Sequence, residues 1–297
     1  MAASAAAALG GCAGSGGGGG SMPPFGSAVP FTQFSAIAAN QQVAMQGMST
    51  VVTGTNTGAT INTVSSPSTD TSSTTARLGY DGSRALSAVS ILTPASISFS
   101  KAAGDSFACA SGTCTLKNAA GTAQMIVIDP VTLPLGWNFQ TFGVWDRTTT
   151  TTAFDAGAFS LGNATPGAAI PTVGTATFTG LANGFVATTG GQAFFTTATM
   201  TANANFGTQS IAFSTTNTQT VSLTNGVTGA APQFNLTGTF TYIPGNNLFA
   251  GALATPGNAM TGTGTGRFFG PQAQEIGGNY NLSGGGSSMI GAFGGKR

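Results

Sequence analysis

The feature that most limits the fold of this chain is the alternation of apolar and polar side chains along its second half. In QFNLTGTFTY, residues 233–242, phenylalanine, leucine and tyrosine share one face of an extended chain, while asparagine and threonine share the other. TATFTG, SIAFS and NYNL repeat the pattern. A period of two residues is that of a β-strand with one buried face, and no stretch has convincing helical periodicity. The sequence therefore predicts an all-β protein.

Eight to ten strands joined by short turns are predicted after Trp137. They lie near residues 138–146, 153–161, 172–182, 192–203, 208–215, 233–243, 247–254, 262–270, 276–283 and 288–294. About eight of them would close into an antiparallel barrel, which removes the exposed edges that so many strands otherwise leave. Glycines within these segments, such as Gly238 and Gly264, are expected where a barrel strand bends.

The first half of the chain is also predicted to be rich in β-strands. Its predicted strands are Ile37 to Val52, Arg77 to Tyr80, Ala88 to Phe99, Ser106 to Leu116 and Gln124 to Ile128. The polar stretch 53–75 is predicted to be an exposed loop. In DPVTLPLG, residues 129–136, two prolines interrupt any strand ladder. We therefore predict an N-terminal segment 1–24, a β-rich domain 25–135 and a barrel domain 136–297.

The composition favours a barrel in water over a barrel in a membrane. Charged residues are 5% of the chain, too few for the charged lumen of a small outer-membrane barrel. The chain has only three Tyr and two Trp for aromatic girdles but 21 Phe. We expect a soluble barrel with phenylalanine rings inside and threonines facing water.

The same composition argues against several functions. Net charge is +1 without a basic patch, so nucleic-acid binding is not expected. The chain has no histidine, which removes the commonest general base and metal ligand, so we expect neither an enzyme nor a metal site.

The N-terminus contains a candidate lipid-attachment site. LGGC, residues 9–12, resembles the lipobox of bacterial lipoproteins, in which the signal peptide is cut before the cysteine and the cysteine is acylated. The Gly/Ser run after Cys12 would form a flexible tether. No basic residue precedes this site and the apolar run is short, so an Ala/Gly-rich tail without lipid is the alternative. Ala13 is not the Asp that commonly retains lipoproteins in the inner membrane, so we expect the outer membrane, at the cell surface or on the periplasmic face.

Cys109 and Cys114 are separated by four residues, Ala-Ser-Gly-Thr, between two alternating segments. A disulfide can close across such a hairpin. It would indicate an oxidising compartment and leave Cys12 free for lipid. Two reduced thiols are the alternative, and two cysteines alone cannot complete a zinc site.

The C-terminal stretch RFFGPQAQEIGGNYNLSGGGSSMIGAFGGKR, residues 267–297, resembles the end of the transferrin-binding protein B β-barrel family. The matching positions are Phe268, Phe269, Gly270, Pro271, Ala273, Glu275, Gly277, Gly278, Phe293, Gly294, Gly295 and Lys296. Residues 171–184 resemble the family's barrel-opening strand, and FTQFSAI, residues 31–37, its handle domain. The family comprises bacterial surface lipoproteins and is related in fold to factor H-binding protein and hemophilin. The resemblance implies a handle domain followed by a barrel, but no particular ligand.

Within this motif we expect a structural role for Glu275. It lies between two predicted strands, where its carboxylate can accept backbone N–H groups left unpaired at the Gly270-Pro271 corner. Gly277 and Gly278 would allow close approach of the strands there.

Four other residues are candidates for ligand contact. Trp137, Trp145 and Arg147 lie in WNFQTFGVWDR, either as part of the core between domains or as an aromatic and arginine anchor for a protein partner. Tyr80, expected in a turn, is a weak candidate for an axial haem ligand.

The sequence thus predicts a monomeric, lipid-anchored surface protein that captures a macromolecular or haem-like ligand without catalysis and without a resident cofactor. A structural or adhesive surface protein is the alternative, because faces rich in Thr and Asn suit it equally.

Overall fold

The computed structural model describes residues 28–94, 96–131 and 136–297, which form β-strands and short 3₁₀ helices. The strands of the first half are β1 (Val29–Pro30), β2 (Gln42–Thr57), β3 (Thr60–Val64), β4 (Ser68–Tyr80), β5 (Leu86–Thr93), β6 (Ile97–Ser100), β7 (Ser106–Ala110), β8 (Thr113–Lys117), β9 (Ala123–Ile128), β10 (Gln140–Thr150) and β11 (Ala153–Gly162). Those of the second half are β12 (Thr175–Thr188), β13 (Ala193–Asn205), β14 (Ser210–Ser222), β15 (Thr228–Ala230), β16 (Thr237–Tyr242), β17 (Phe249–Ala254), β18 (Thr261–Phe269), β19 (Glu275–Gly284) and β20 (Ser287–Lys296). The 3₁₀ helices of the described residues are Phe34–Ala36, Lys101–Ala103, Gly167–Ala169, Pro232–Phe234 and Pro256–Asn258. Cys12 and the predicted segment 1–24 lie outside the described residues, so the lipobox stays a prediction.

The second half of the chain forms a closed antiparallel barrel. Eight strands pair in the order β13-β12-β20-β19-β18-β17-β16-β14, and β13 also pairs with β14, which closes the ring. The short strand β15 adds to β14 outside this ring. The predicted barrel of about eight antiparallel strands is confirmed.

Phenylalanine rings fill the barrel. Phe240 has 0% of its surface exposed and lies 5.2 Å from Phe213, 5.4 Å from Phe249 and 5.9 Å from Phe293, measured between ring centroids. The threonines that alternate with Phe240 along β16 are exposed. Burying each such ring stabilises the fold by roughly 1.5–3 kcal/mol, so the alternation read from the sequence accounts for the barrel core.

The strands β1 to β11 form a second sheet, here called the handle sheet. Its order is β6-β5-β4-β2-β11-β10-β9-β8-β7, with β1 and β3 paired to β2. The sheet curls around its own apolar core, in which Phe99 of β6 and Leu116 of β8 belong to one cluster. Its terminal strands β6 and β7 are not paired with each other, so the handle sheet is nearly closed where the barrel is fully closed.

The placement of two predicted barrel strands is wrong. Residues 138–146 and 153–161 correspond to β10 and β11, which pair with each other and with β9 and β2 of the handle sheet. Their alternation resembles that of the barrel strands, so it could not show which sheet they join. The chain passes from the handle sheet to the barrel between Gly162 and Thr175. This position is C-terminal to the domain boundary predicted from the prolines of residues 129–136.

The predicted loop 53–75 is also wrong. It contains the end of β2, all of β3 and the first half of β4. Its threonines pair across strands, as in the 2.7 Å contact between the hydroxyls of Thr55 and Thr63. Threonine favours strands, and here that preference outweighs the loop-like composition.

The two sheets meet through an apolar layer. Phe154 and Val144 of the handle sheet belong to one buried cluster with Phe185, Phe195 and Ile290 of the barrel. Phe185 and Phe195 alternate with the inward residues of β12 and β13 and therefore lie on the outer face of the barrel. The outer face of the barrel is therefore apolar at this junction, where the handle sheet covers it, and not coated with threonines facing water.

Candidate functional site

The C-terminal motif builds the junction between barrel and handle sheet. Gly270 opens the turn between β18 and β19 with φ +84°, a left-handed conformation that favours glycine. A Cβ at this position would meet the ring of Phe139 at 2.6 Å. Pro271 is exposed in the same turn. This corner therefore lies directly against the chain segment that leads into β10.

Glu275 connects the two sheets. Its side chain is 1% exposed, and its Oε1 accepts the backbone N–H of Asn138 at 2.5 Å. The N–H of Phe139 lies 3.2 Å from Oε1 and 3.1 Å from Oε2. The carboxylate does accept backbone N–H groups, as the sequence suggested, but the donors belong to the handle segment and not to the Gly-Pro corner.

The burial of Glu275 changes its acidity. Removal from water raises the pKa of this carboxyl from 4.5 to about 7, against the opposing effect of the hydrogen bonds from Asn138 and Phe139 and the charge of Lys296. Glu275 is therefore a buried acid that can change protonation near neutral pH.

Gly277 leaves room for Gln140 of β10. A Cβ at Gly277 would overlap the Gln140 side-chain oxygen. The Gln140 amide donates to the carbonyl oxygens of Ile276 at 2.6 Å and Gly295 at 3.2 Å, across β19 and β20. Gly278, on the opposite face, would bring a Cβ 2.8 Å from the ring of Phe293 inside the barrel. The absence of a side chain at Gly277 therefore allows Gln140 to pack against the outside of the barrel wall, and its absence at Gly278 allows Phe293 to pack against the inside.

The structure does not support Trp137, Trp145 and Arg147 as a partner anchor. Trp137 is 4% exposed in the layer between the sheets, and Trp145 is 1% exposed in the handle core. Arg147 pairs with Asp155 at 2.8 Å and lies over the Trp145 ring. Buried rings cannot contact a partner, so this interpretation is corrected.

Tyr80 is likewise not placed to ligate haem. It ends β4 instead of lying in a turn, is 1% exposed, and donates its hydroxyl to Asp129 at 3.4 Å. Its hydroxyl is therefore directed into the protein.

Cys109 and Cys114 form a disulfide across the β7–β8 hairpin. The predicted pairing is confirmed. The disulfide joins the last two strands of the handle sheet, β8 and β7, at the end of the strand order opposite to β4 and β5.

Within the described ranges there is no group of three or more His, Cys, Asp or Glu side chains arranged to hold a metal ion. No helix in the same residues has the length and apolar character needed to cross a membrane.

A concave surface lies where the handle sheet meets the barrel and is here called the junction cleft. It has a volume of about 870 Å³. Strands β1, β2, β4 and β5 line one side, and β18 with residues 162–164 lines the other. Its lining residues are Ala28, Pro30, Phe31, Ala44, Met45, Gln46, Gly47, Ser72, Thr75, Ala76, Arg77, Leu92, Gly162, Asn163, Ala164, Arg267 and Phe269.

Two arginines belong to the junction cleft. Arg267 lies between Phe268, which points into the barrel, and Phe269, which packs against Gly162. Its Nη2 donates to the carbonyl oxygen of Thr71 on β4 at 3.1 Å. Arg77 is exposed on the handle side. Sequence reasoning missed this pair because 190 residues separate the two arginines, and Arg267 opens the C-terminal stretch without being one of its matching positions.

Comparison with known proteins addresses the barrel. Residues 170–297 match the family described as C-lobe and N-lobe beta barrels of Tf-binding protein B. A comparison with curated proteins finds no match.

Solved structures of similar proteins include three bacterial examples. Transferrin-binding protein B from Haemophilus parasuis Hp5, as a single-residue mutant, is 14% identical over 75% of this chain and 51% of that chain, with a TM-score of 0.44. The isotype 1 transferrin-binding protein B from serogroup B Neisseria meningitidis is 20% identical over 68% and 38%, with a TM-score of 0.42. The N-lobe domain of lactoferrin-binding protein B from Moraxella bovis is 13% identical over 53% and 75%, with a TM-score of 0.35.

The chain spans about half the length of the first of these proteins. The family match begins just before β12 and ends at the last residue, so it covers all eight strands of the closed barrel. The resemblance inferred from the C-terminal motif is thereby confirmed, since residues 170–297 of this chain are similar to the C-lobe and N-lobe β-barrels of transferrin-binding protein B.

Proposed function

We propose that this protein is a lipid-anchored surface protein of the transferrin-binding protein B type that binds a ligand without catalysis. The observation that supports this most directly is the family match over the closed barrel, residues 170–297. Similar solved structures are named for binding transferrin and lactoferrin, which are proteins. A host protein or an iron or haem carrier is therefore the first class of ligand to test, with no cofactor resident in the protein.

Several parts of this proposal come from the sequence. Cys12 is proposed as the lipidated residue, the outer membrane as the location and the monomer as the working form. We place the division between handle and barrel domains within residues 163–174, between the last handle strand and the first barrel strand.

A capture experiment tests the binding function. The chain, immobilised through a C-terminal tag, is exposed to host serum, and the eluate is analysed by mass spectrometry and by haem absorbance. We expect one or a few proteins at stoichiometric amounts that a control barrel of unrelated sequence does not retain. An eluate identical to that of the control contradicts the proposal and favours the adhesive alternative.

Lipidation requires its own experiment. In cells that express the full chain, radiolabelled palmitate should be incorporated into the wild type and lost in Cys12→Ser. Unchanged incorporation in Cys12→Ser would assign the lipid to another residue, and an unlabelled wild type would contradict the anchor.

A further inference from the structure

The junction cleft has the features of a site for an anionic group. Arg77 and Arg267, two of only eight basic residues in the chain, line the same concave surface. Its lining includes no Asp or Glu. Clefts lined by one sign of charge concentrate the field and attract the opposite charge.

Neither arginine has an acidic partner in the described part of the chain. The salt bridges there are Lys101–Asp81 and Arg147–Asp155. The nearest acid along β4, Asp70, accepts the backbone N–H groups of Ser72 and Ser73 at 2.9 Å each. Neither arginine is therefore engaged in an ion pair within the described part of the chain.

Arg267 is held in place for this role. The bond from its Nη2 to the Thr71 carbonyl oxygen fixes the guanidinium between the two sheets. This bond uses one of the five N–H donors of an arginine side chain, so the fork that suits carboxylate and phosphate oxygens is largely free. The cross-strand partner of Arg267 on β19 is Gly277, beside which the side chain of Gln140 lies.

Arg77 is left uncovered by its neighbours. Its cross-strand partners are Ala44 on β2 and Ser90 on β5, both small. Its long side chain therefore extends over the sheet surface that forms one side of the cleft.

Apolar surface adjoins the two charges. Leu92 is 44% exposed, and Phe31 is half-buried. A volume of about 870 Å³ is within the range of sites that bind small molecules. Cationic groups beside exposed apolar surface match a ligand with an anionic head and an apolar body.

We propose that the junction cleft binds a small amphipathic molecule through its carboxylate or phosphate head, with Arg77 and Arg267 as the anion ligands and Phe31 and Leu92 against the apolar part. This site does not depend on the proposed surface function. A chain that captures no serum protein can still bind such a molecule, and the reverse also holds.

Calorimetric titration of the full chain with decanoate, decyl phosphate and decanol, each below its aggregation concentration, tests the site. We expect saturable binding of at least one anion and binding of decanol at least tenfold weaker. Binding of decanoate only or of decyl phosphate only supports the proposal and identifies the head group. Equal binding of decanol, or no binding of either anion, overturns it.

Variants locate the site. Arg77→Gln and Arg267→Gln should each weaken anion binding about tenfold, the effect of losing one charge-assisted hydrogen bond. Arg84→Gln removes the same charge from an exposed handle turn outside the cleft and should bind as the wild type does. Equal binding by all three variants and the wild type overturns the proposal.

Two further variants guard against trivial explanations. Arg267→Lys keeps the charge if Arg267→Gln unfolds the junction, and it should bind more tightly than Arg267→Gln. Leu92→Ser should weaken decanoate more than hexanoate, because the longer chain reaches the apolar wall. Equal losses for both chain lengths contradict the assignment of Leu92.

Discussion

The barrel and the handle sheet both surround apolar cores, but they end differently. The barrel has no terminal strand in its ring, because β13 pairs with β14. The handle sheet has two terminal strands, β6 and β7, and local contacts stabilise them. The Cys109–Cys114 disulfide joins β7 to β8. Asp105, just before β7, accepts the backbone N–H of Ser100 on β6 at 2.8 Å. Closure leaves the barrel ring without a strand edge, whereas β6 and β7 are edge strands whose backbone groups are not paired on one side.

The largest expected effect comes from removing a ring at the centre of the barrel. Phe240→Ala should lower the free energy of unfolding by about 3–5 kcal/mol, because it deletes buried atoms and leaves a cavity among three other rings. Phe107→Ala, at the half-buried handle edge, should cost less than half as much. Urea unfolding followed by circular dichroism measures both. Similar losses of unfolding free energy for the two variants would mean that the closed barrel core and the edge of the open handle sheet contribute equally to stability.

The second effect concerns the contact between the two sheets and its dependence on pH. The folded-state pKa of Glu275 is raised to about 7, so the folded state binds a proton more tightly than the unfolded state does. The resulting stabilisation is complete below the ordinary pKa of 4.5 and is lost as pH rises to about 7. The change is on the order of 1–3 kcal/mol.

Glu275→Gln isolates this contribution. Asp146, whose pKa burial also raises to about 7, titrates in the same window, so the difference between wild type and variant is the relevant quantity. Wild type should lose stability relative to the variant between pH 4.5 and 7.5 in urea unfolding. Parallel profiles would show that the backbone N–H groups of Asn138 and Phe139 compensate fully for burial.

How much the sequence predicts depends on whether a feature is local. The alternation of β16 locates a strand to within a few residues, and the short spacing of Cys109 and Cys114 predicts their disulfide. Pairing partners are not local. β11 pairs with β2 about a hundred residues away, and nothing in its own residues distinguishes it from a barrel strand.

The candidate site shows the same limit. Glu275 could be recognised as a structural acceptor, but its donors lie 136 and 137 residues earlier in the chain. Arg77 and Arg267 line one cleft only because the handle sheet packs on the barrel wall. Residues 53–75 have a loop-like composition, but the strand preference of their threonines and their pairing across β2, β3 and β4 make them part of a sheet.

The third effect tests the open end of the handle sheet. Replacing Cys109 and Cys114 together by serine removes a short covalent loop and should cost about 2 kcal/mol, estimated from loop entropy. Amide hydrogen exchange should increase in β7 and β8 and remain unchanged in the barrel strands, since the bridge joins only neighbouring strands. Faster exchange throughout the barrel would show that the two sheets unfold as one unit.

The smallest expected effect on stability comes from substitutions on the outer faces of the two sheets. The handle sheet has an ion pair on this face, whereas the outer face of β16 has threonine hydroxyls. Arg147 donates from Nε and Nη2 to Asp155 at 3.1 and 2.8 Å, and from Nη1 to the Ser96 carbonyl oxygen at 2.6 Å. Its side chain is 31% exposed, so water screens the pair, and we expect a coupling energy of about 1 kcal/mol or less from a double-mutant cycle of Arg147→Gln and Asp155→Asn. Thr241→Val on β16 should change the free energy of unfolding by less than about 0.5 kcal/mol. A coupling energy well above about 1 kcal/mol would mean that polar contacts on the outer face contribute substantially to the stability of the handle sheet. The barrel, in contrast, is stabilised by its buried phenylalanine rings. The two sheets would then differ in their outer faces as well as in their edges.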